Sequence, residues 1–399
     1  MKKCIVISDS FKGTLSSLEI CSIAGESIPR IFPECQVVAL PVADGGEGTV
    51  ECFVEAIQAD RIKVCVTGPY GEAVEAAYAR KGALAVVEMA SAAGLPMVGD
   101  RKDPSRTTTY GVGQIIRHAV ENGCREILLG LGGSCTNDGG CGCAAALGVD
   151  FYDAKGCRFV PRGAELDRIA RIDMTAAREL LKAVSITCIC DVDNPLYGPA
   201  GAAYVFAPQK GADGSMVAEL DRQLQALAAV MERDLGVSVA EMPGAGAAGG
   251  FGGGAVAFLN ARLRPGIEVV LDTVGYDEHL KDAELVITGE GRVDSQSVRG
   301  KVISGVAKRT APAGVPLIVI AGGIAEGAEG IGWTRFRRSL PSAFGGKRWI
   351  ERCAPIFSTR SVGAVPMAVL STIGALTACR RFFSAPLFWK RIPSGARRL

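Results

Sequence analysis

The feature that most constrains this chain is a device it repeats. A short apolar run ends in a loop bearing glycine and a carboxylate, and a helix-forming segment follows. Residues 127–129 run into Gly130-Leu131-Gly132-Gly133-Ser134-Cys135-Thr136-Asn137-Asp138-Gly139-Gly140, and the alanine-rich stretch 143–147 opens a helix. Such a strand–turn–helix leaves bare amides at the turn, where unpaired N–H groups and the helix dipole favour an anion. A tight turn with no ligand is the plainer reading of any one such loop. Repetition along the chain favours the first.

Residues 3–8 read as a buried strand, followed by Asp9-Ser10-Phe11-Lys12-Gly13-Thr14 and a capping box at Ser16 and Glu19 that starts a helix running to about Ile28. Residues 36–40 form a second strand, ending in Asp44-Gly45-Gly46-Glu47-Gly48 before a helix over 50–57. Two such units predict a parallel α/β sheet with ligands beyond the strand C-termini. From 61 to 98 short β-type runs (63–66, 76–79, 85–88) mark entry into another domain. Residues 108–122 predict a helix with Val112, Ile115, Ile116 and Val120 on its apolar face. Strands follow at 185–190, 284–288 and 317–321, with helices over 217–235, near 255–260 and up to Arg309. The expected architecture is a Rossmann- or flavodoxin-like parallel-sheet domain (1–62 and 284–332) interrupted by a mixed α/β domain (63–283).

Charge is nearly balanced, 44 Lys+Arg against 42 Asp+Glu, which argues against a nucleic-acid or membrane partner. Fourteen cysteines include no CxxC pair, and His118 and His279 are the only histidines. Cys4, Cys21, Cys52, Cys65 and Cys188 lie in apolar runs and read as buried small hydrophobes in a reducing cytoplasm. The N-terminus runs directly into a strand, with no signal peptide expected.

Carboxylates recur beside glycines at strand ends: Asp9, Asp44, Glu47, Asp138, Asp191, Asp193, Glu290 and Asp294. Cations there are few: Lys12, Lys210, Arg292 and Lys301. Glycine loops for phosphates, carboxylates for magnesium or a base, and cations for transferred charge together describe phosphoryl transfer. Neither GxxxxGK[ST] nor the HRD and DFG of protein kinases occurs, and the first βα loop lacks the GxGxxG of a dehydrogenase. Any single carboxylate of this set is more readily a helix cap or turn residue than a catalyst, and the repetition at strand ends carries the reading.

Six motifs in order resemble the bacterial glycerate kinase family. They are 9–13 (DSFKG), 42–49 (VADGGEGT), 131–140 (LGGSCTNDGG), 190–196 (CDVDNPL), 243–250 (PGAGAAGG) and 288–297 (TGEGRVDSQS) with Gly300-Lys301. The resemblance implies two α/β domains and ATP- and Mg²⁺-dependent phosphorylation of D-glycerate, 2-phosphoglycerate being favoured over 3-phosphoglycerate. On this reading Lys12 or Arg292 orients the substrate carboxylate. Asp191, with Asp44 second, takes the hydroxyl proton, and the same two aspartates are the candidate metal ligands. Substrate and phosphate contacts are expected from Asp9, Ser10, Gly45, Gly46, Glu47, Gly132, Gly133, Ser134, Asn137, Asp138, Asn194, Gly249, Gly250, Glu290, Asp294 and Lys301. A homo-oligomer is left open. The alternative is a non-catalytic anion- or nucleotide-binding protein of the same fold, inactive through its ending.

That ending departs from the family. Residues 333–399 hold thirteen Lys+Arg and one acid, Glu351, whereas 1–332 hold 31 and 41, so net −10 is followed by net +12. All three tryptophans (Trp333, Trp349, Trp389) lie in it. The cations are scattered among apolar residues, unlike a nucleic-acid arm. The uncharged run 361–379 has the length of a membrane segment but contains Pro366. A frame change replacing the family's last segment is the favoured reading, with an irregular, poorly packed tail expected.

Overall fold

Ser16 and Glu19 form the capping box the sequence predicts. The Glu19 amide donates to Ser16 Oγ at 3.2 Å, and the Ser16 amide donates back to Glu19 Oε2 at 2.8 Å. The helix Ser17–Ile31 that starts there carries the chain from β1 (Lys3–Val6) to a parallel β2 (Gln36–Ala39). A parallel pair needs such a crossover. Ile20, Ala24 and Ile28, spaced to share one helix face, pack on Cys4, Val6, Ile287 and Ile320 of the sheet.

The computed structural model describes residues 1–11, 14–43, 45–293, 302–324, 334–336 and 367–371. The chain divides into two compact units, Met1–Val42 with Val270–Leu399, and Ala43–Val269. These boundaries differ from those expected from the sequence, after 62 and 283. The helix Thr49–Ile57 falls in the second unit because it packs on three strands of that unit's sheet.

The second unit contains β3 (Asp60–Thr67), β4 (Ala73–Lys81), β5 (Leu84–Glu88), β6 (Glu126–Gly130), β7 (Asp150–Tyr152), β8 (Arg158–Phe159), β9 (Arg171–Asp173), β10 (Ser185–Ile189) and β11 (Arg262–Arg264). Its main sheet has the order β11-β10-β6-β5-β4-β3, parallel from β11 to β5 and antiparallel across β4 and β3. A small antiparallel sheet, β8-β7-β9, lies apart from it. Val112, Ile115, Ile116 and Val120 of the helix Tyr110–Glu121 enter the core with Tyr78, Val87 and Leu129, as their spacing predicts.

The chain returns to the first unit with β12 (Leu285–Val293), β13 (Leu317–Ile324), β14 (Thr334–Phe336) and β15 (Met367–Ser371). All six strands are parallel, in the order β14-β15-β13-β12-β1-β2. Of the tail expected to be irregular, β14 and β15 extend this sheet, and its other residues lie outside those described.

Among the described residues nine cysteines are buried, including Cys4, Cys21, Cys52 and Cys188, and none is in a disulfide. Cys65 departs from expectation. On edge strand β3 it shares the outward face with Arg61 and Lys63 and is exposed.

Candidate active site

In the unit 43–269, the parallel strands β5, β6, β10 and β11 end together at Glu88, Gly130, Ile189 and Arg264. The glycine loops lie beyond those ends. The Gly132 amide donates to the Gly45 carbonyl at 3.0 Å, and a Cβ on Gly132 would come within 2.7 Å of Gly46 Cα. A Cβ on Gly130 would meet the Gly45 carbonyl oxygen at 2.3 Å. The turns at 45–46 and 130–133 therefore touch backbone to backbone, which only glycine allows. Gly45 and Gly46 are buried; Glu47 and Gly133 are exposed at the rim.

The loop 131–136 is held from two further sides. The Leu95 amide donates to Gly133 O at 2.8 Å and the Cys135 amide to Ala93 O at 2.9 Å. The Lys210 ammonium donates to Ser134 Oγ and to Thr136 O, both at 2.7 Å. Lys210 is 2% exposed, and burial pushes its pKa down to about 8, against the opposing influence of Cys135 and Asp138.

Asp138 is fully buried. Its carboxylate accepts from the Thr109 amide and hydroxyl and from the amides of Gly140 and Gly142, at 2.8 to 3.2 Å. Burial raises its pKa while these four donors oppose the rise. These four bonds make the Asp138 carboxylate an internal brace of the turn. Asn137 is also fully buried, yet neither Oδ1 nor Nδ2 has a hydrogen-bond partner among the described residues. Such an orphaned amide fits a site completed by a ligand or a bound water. Gly249 and Gly250, with φ of 69° and 87°, sit in the kinked start of the helix Ala247–Leu259. A Cβ on Gly249 would lie 2.1 Å from Thr136 O, so this segment seats directly on the 136–140 turn.

Asp191 follows β10 and is exposed, and its Oδ1 accepts from the Gly266 amide at 2.7 Å. Gly266 opens the helix Gly266–Thr273, and a helix N-terminus is a natural seat for a carboxylate. Asn194 braces the same loop, with Nδ2 donating to Ala200 O at 2.7 Å and its carbonyl accepting from the Gly246 amide at 3.0 Å.

Glu88 was absent from the sequence-derived set. It ends β5 buried, and its carboxylate accepts from the Val50 amide at 3.1 Å, capping a helix whose own N-cap, Gly48, has no side chain to offer. Burial pushes its pKa up to about 7, with Glu51 and Glu47 adding to the rise and the amides of Val50 and Thr49 opposing it. The signal was present in the apolar run 84–87 that Glu88 closes, although the five residues after it hold no glycine.

In the other unit, the Asp9 amide donates to Gly289 O at 2.9 Å and the Ser10 amide to Asp9 Oδ1 at 2.7 Å. Both residues are half-buried beyond the end of β1. Residues 289–292, expected as a loop, continue β12. They pair in register with β13, Gly289 with Ile320, Glu290 with Ala321 and Arg292 with Gly323. The glycines permit this: a Cβ on Gly289 would lie 2.5 Å from Ile320 O, and one on Gly322 2.5 Å from Gly291 O. Glu290 is buried on this strand and Arg292 exposed. Lys12, Asp44, Asp294 and Lys301 lie outside the described residues.

Residues 4–343 match the model of the glycerate kinase family, so the match ends within the basic tail. The chain is 44% identical over 347 residues to the glycerate kinase of Halalkalibacterium halodurans, covering 86% of this chain and 90% of that one. It is 44% identical over 327 residues to the glycerate 2-kinase of Escherichia coli, covering 81% and 86%. A crystal structure described as that of glycerate kinase 2 from Salmonella typhimurium LT2 superposes with a TM-score of 0.78 at 39% identity, covering 96% of this chain and 94% of that one.

Proposed function

The chain belongs to the glycerate kinase family, and on that premise we propose that it transfers the γ-phosphoryl group of ATP to the 2-hydroxyl of D-glycerate, releasing ADP and 2-phosphoglycerate. It is a phosphotransferase with an alcohol group as acceptor. The structural observation that carries the reading is the backbone contact between the turns at 45–46 and 130–133 beyond the parallel strands of the second unit. Amides at such turns can hold phosphate oxygens without a Walker lysine.

The attacking hydroxyl loses its proton as the O–P bond forms and the bond to ADP breaks. Asp191, exposed at the end of β10, is suited to orient that hydroxyl and accept the proton, with Asp44 second. Arg292, exposed on β12, and Lys12 are suited to the glycerate carboxylate. The orphaned Asn137 amide supports a polar ligand contact there.

Mg²⁺ takes one or two carboxylates together with phosphate oxygens and water, and aspartates are the hard oxygen donors such an ion prefers. Asp44 and Asp191 would hold it, and the ion would offset the triphosphate charge. Among the described residues, no helix is long and apolar enough to cross a membrane. A cytoplasmic location is part of this proposal.

The test is ADP release from ATP on addition of D-glycerate, with the product's phosphate position read by ³¹P NMR. ATP and glycerate binding without turnover would favour the non-catalytic alternative, and a 3-phosphorylated product would correct the regiochemistry.

A further inference from the structure

We propose that Lys210 is a positioning residue for the substrate turn: its ammonium ties Ser134 Oγ to Thr136 O and so fixes the height at which Gly132 meets the 45–46 turn. This rests on the kinase reading above, which makes the Gly132–Gly133 turn a phosphate or substrate contact.

Three observations converge on it. Lys210 follows the short helix Ala202–Phe206, distant in sequence from the turn, yet its Nζ makes two 2.7 Å bonds that both end on residues 134–136. Its neighbour Gly211, at φ 102°, has Lys102 so close that a Cβ would fall 2.6 Å from Lys102 O. The backbone carrying the ammonium is thus locked in place. Finally, no carboxylate oxygen lies within 4.0 Å of Nζ among the described residues. A buried cation without a close counter-charge costs stability. A methionine would fill the same space without that cost, so the charge is explained by what it holds. The loop's opposite edge is fixed by the Gly94 segment, its inner edge by Gly45 and its Cys135 carbonyl by Thr107 Oγ1 at 2.9 Å, and of these holds Lys210 is the one that ties Ser134 to Thr136.

The experiment compares Lys210→Met, Ser134→Ala and the double variant in the full chain. Lys210→Met is expected to keep or raise Tm at pH 7 and to lower kcat/KM at least tenfold, mainly through KM. Amides of residues 131–136 should exchange with deuterium faster in this variant. The double variant should be no worse than Lys210→Met alone, because the two changes remove the same tie. The proposal is overturned if kcat/KM stays within twofold and exchange at 131–136 is unchanged. It is equally overturned if Tm and kcat fall together with KM unmoved. Should Lys210→Met not fold, Ser134→Ala alone must raise KM and loosen the loop, or the proposal fails. Exchange is read without turnover, so an inactive wild-type protein would sink the kinase reading and leave this test standing.

Discussion

Asp191 Oδ1 and the Gly266 amide are 2.7 Å apart, so the carboxylate proposed to take the substrate proton also caps a helix. The two roles separate by substitution. Asp191→Asn retains a side-chain oxygen for the Gly266 amide and should leave Tm within a few degrees, while kcat falls by two orders of magnitude or more with little change in KM. Asp191→Ala should add a stability loss of about 1 kcal/mol, as expected for a lost helix cap. Near-normal kcat in Asp191→Asn would move the base to Asp44.

Glu88 predicts a pH dependence of stability. Its pKa is raised from 4.5 to about 7 in the folded chain, so folding favours the protonated form. Its contribution is complete below pH 4.5 and is lost as pH rises through 7. At about 1.4 kcal/mol per pKa unit, the full effect is about 3 kcal/mol. Glu88→Gln keeps an acceptor for the Val50 amide and should flatten that part of the curve. Urea midpoints at pH 5, 6, 7 and 8 check this; parallel curves for the two proteins would refute it.

Glycine substitutions should sort by what a Cβ would meet. Gly132→Ala places one 2.7 Å from Gly46 Cα and should lower kcat/KM at least tenfold by separating the turns. Gly214→Ala, at the first position of its helix with nothing within 4 Å, should be neutral or stabilising by up to about 1 kcal/mol. Steady-state kinetics and thermal melts of the two variants test the contrast. Equal effects would mean that turn contact is irrelevant to activity.

Arg292→Ala should raise the KM for glycerate by ten- to a hundredfold, the range of a lost charge-assisted hydrogen bond of about 1.5–3 kcal/mol, with the KM for ATP little changed. A selective rise in the ATP KM instead would reassign Arg292 to the nucleotide.

For the tail, the gene itself is the test. If residues 333–399 arise from a frame change, another frame from near codon 332 should encode an acidic, amphipathic ending. Absence of such a frame would make the basic tail the chain's own divergent sequence.

Where local signals decide structure, the sequence was a good guide. The Ser16–Glu19 capping box and the apolar face of 110–121 both appear where spacing puts them. The sequence alone predicts a strand that ends at Thr288, where the glycine-bearing motif begins. Its extension to Val293 depends on pairing with β13, which is not a local property. Asp138 and Glu88 show the same limit at the site. Whether a strand-end carboxylate faces outward or braces a turn depends on residues such as Thr109 and Val50, far from it in sequence. Lys210 shows it again, because its acceptors lie more than seventy residues earlier.

The contact between Gly132 and the 45–46 turn also limits how this chain can recover from mutation. A clash in a packed core is commonly relieved when a neighbouring side chain becomes smaller. Here the neighbours are already glycines, and what a new Cβ would strike is main chain. No second substitution can trim a backbone atom. An intragenic suppressor would have to shift β6 or the 45–46 segment as a whole, so reversion at the original codon is the expected route back to activity.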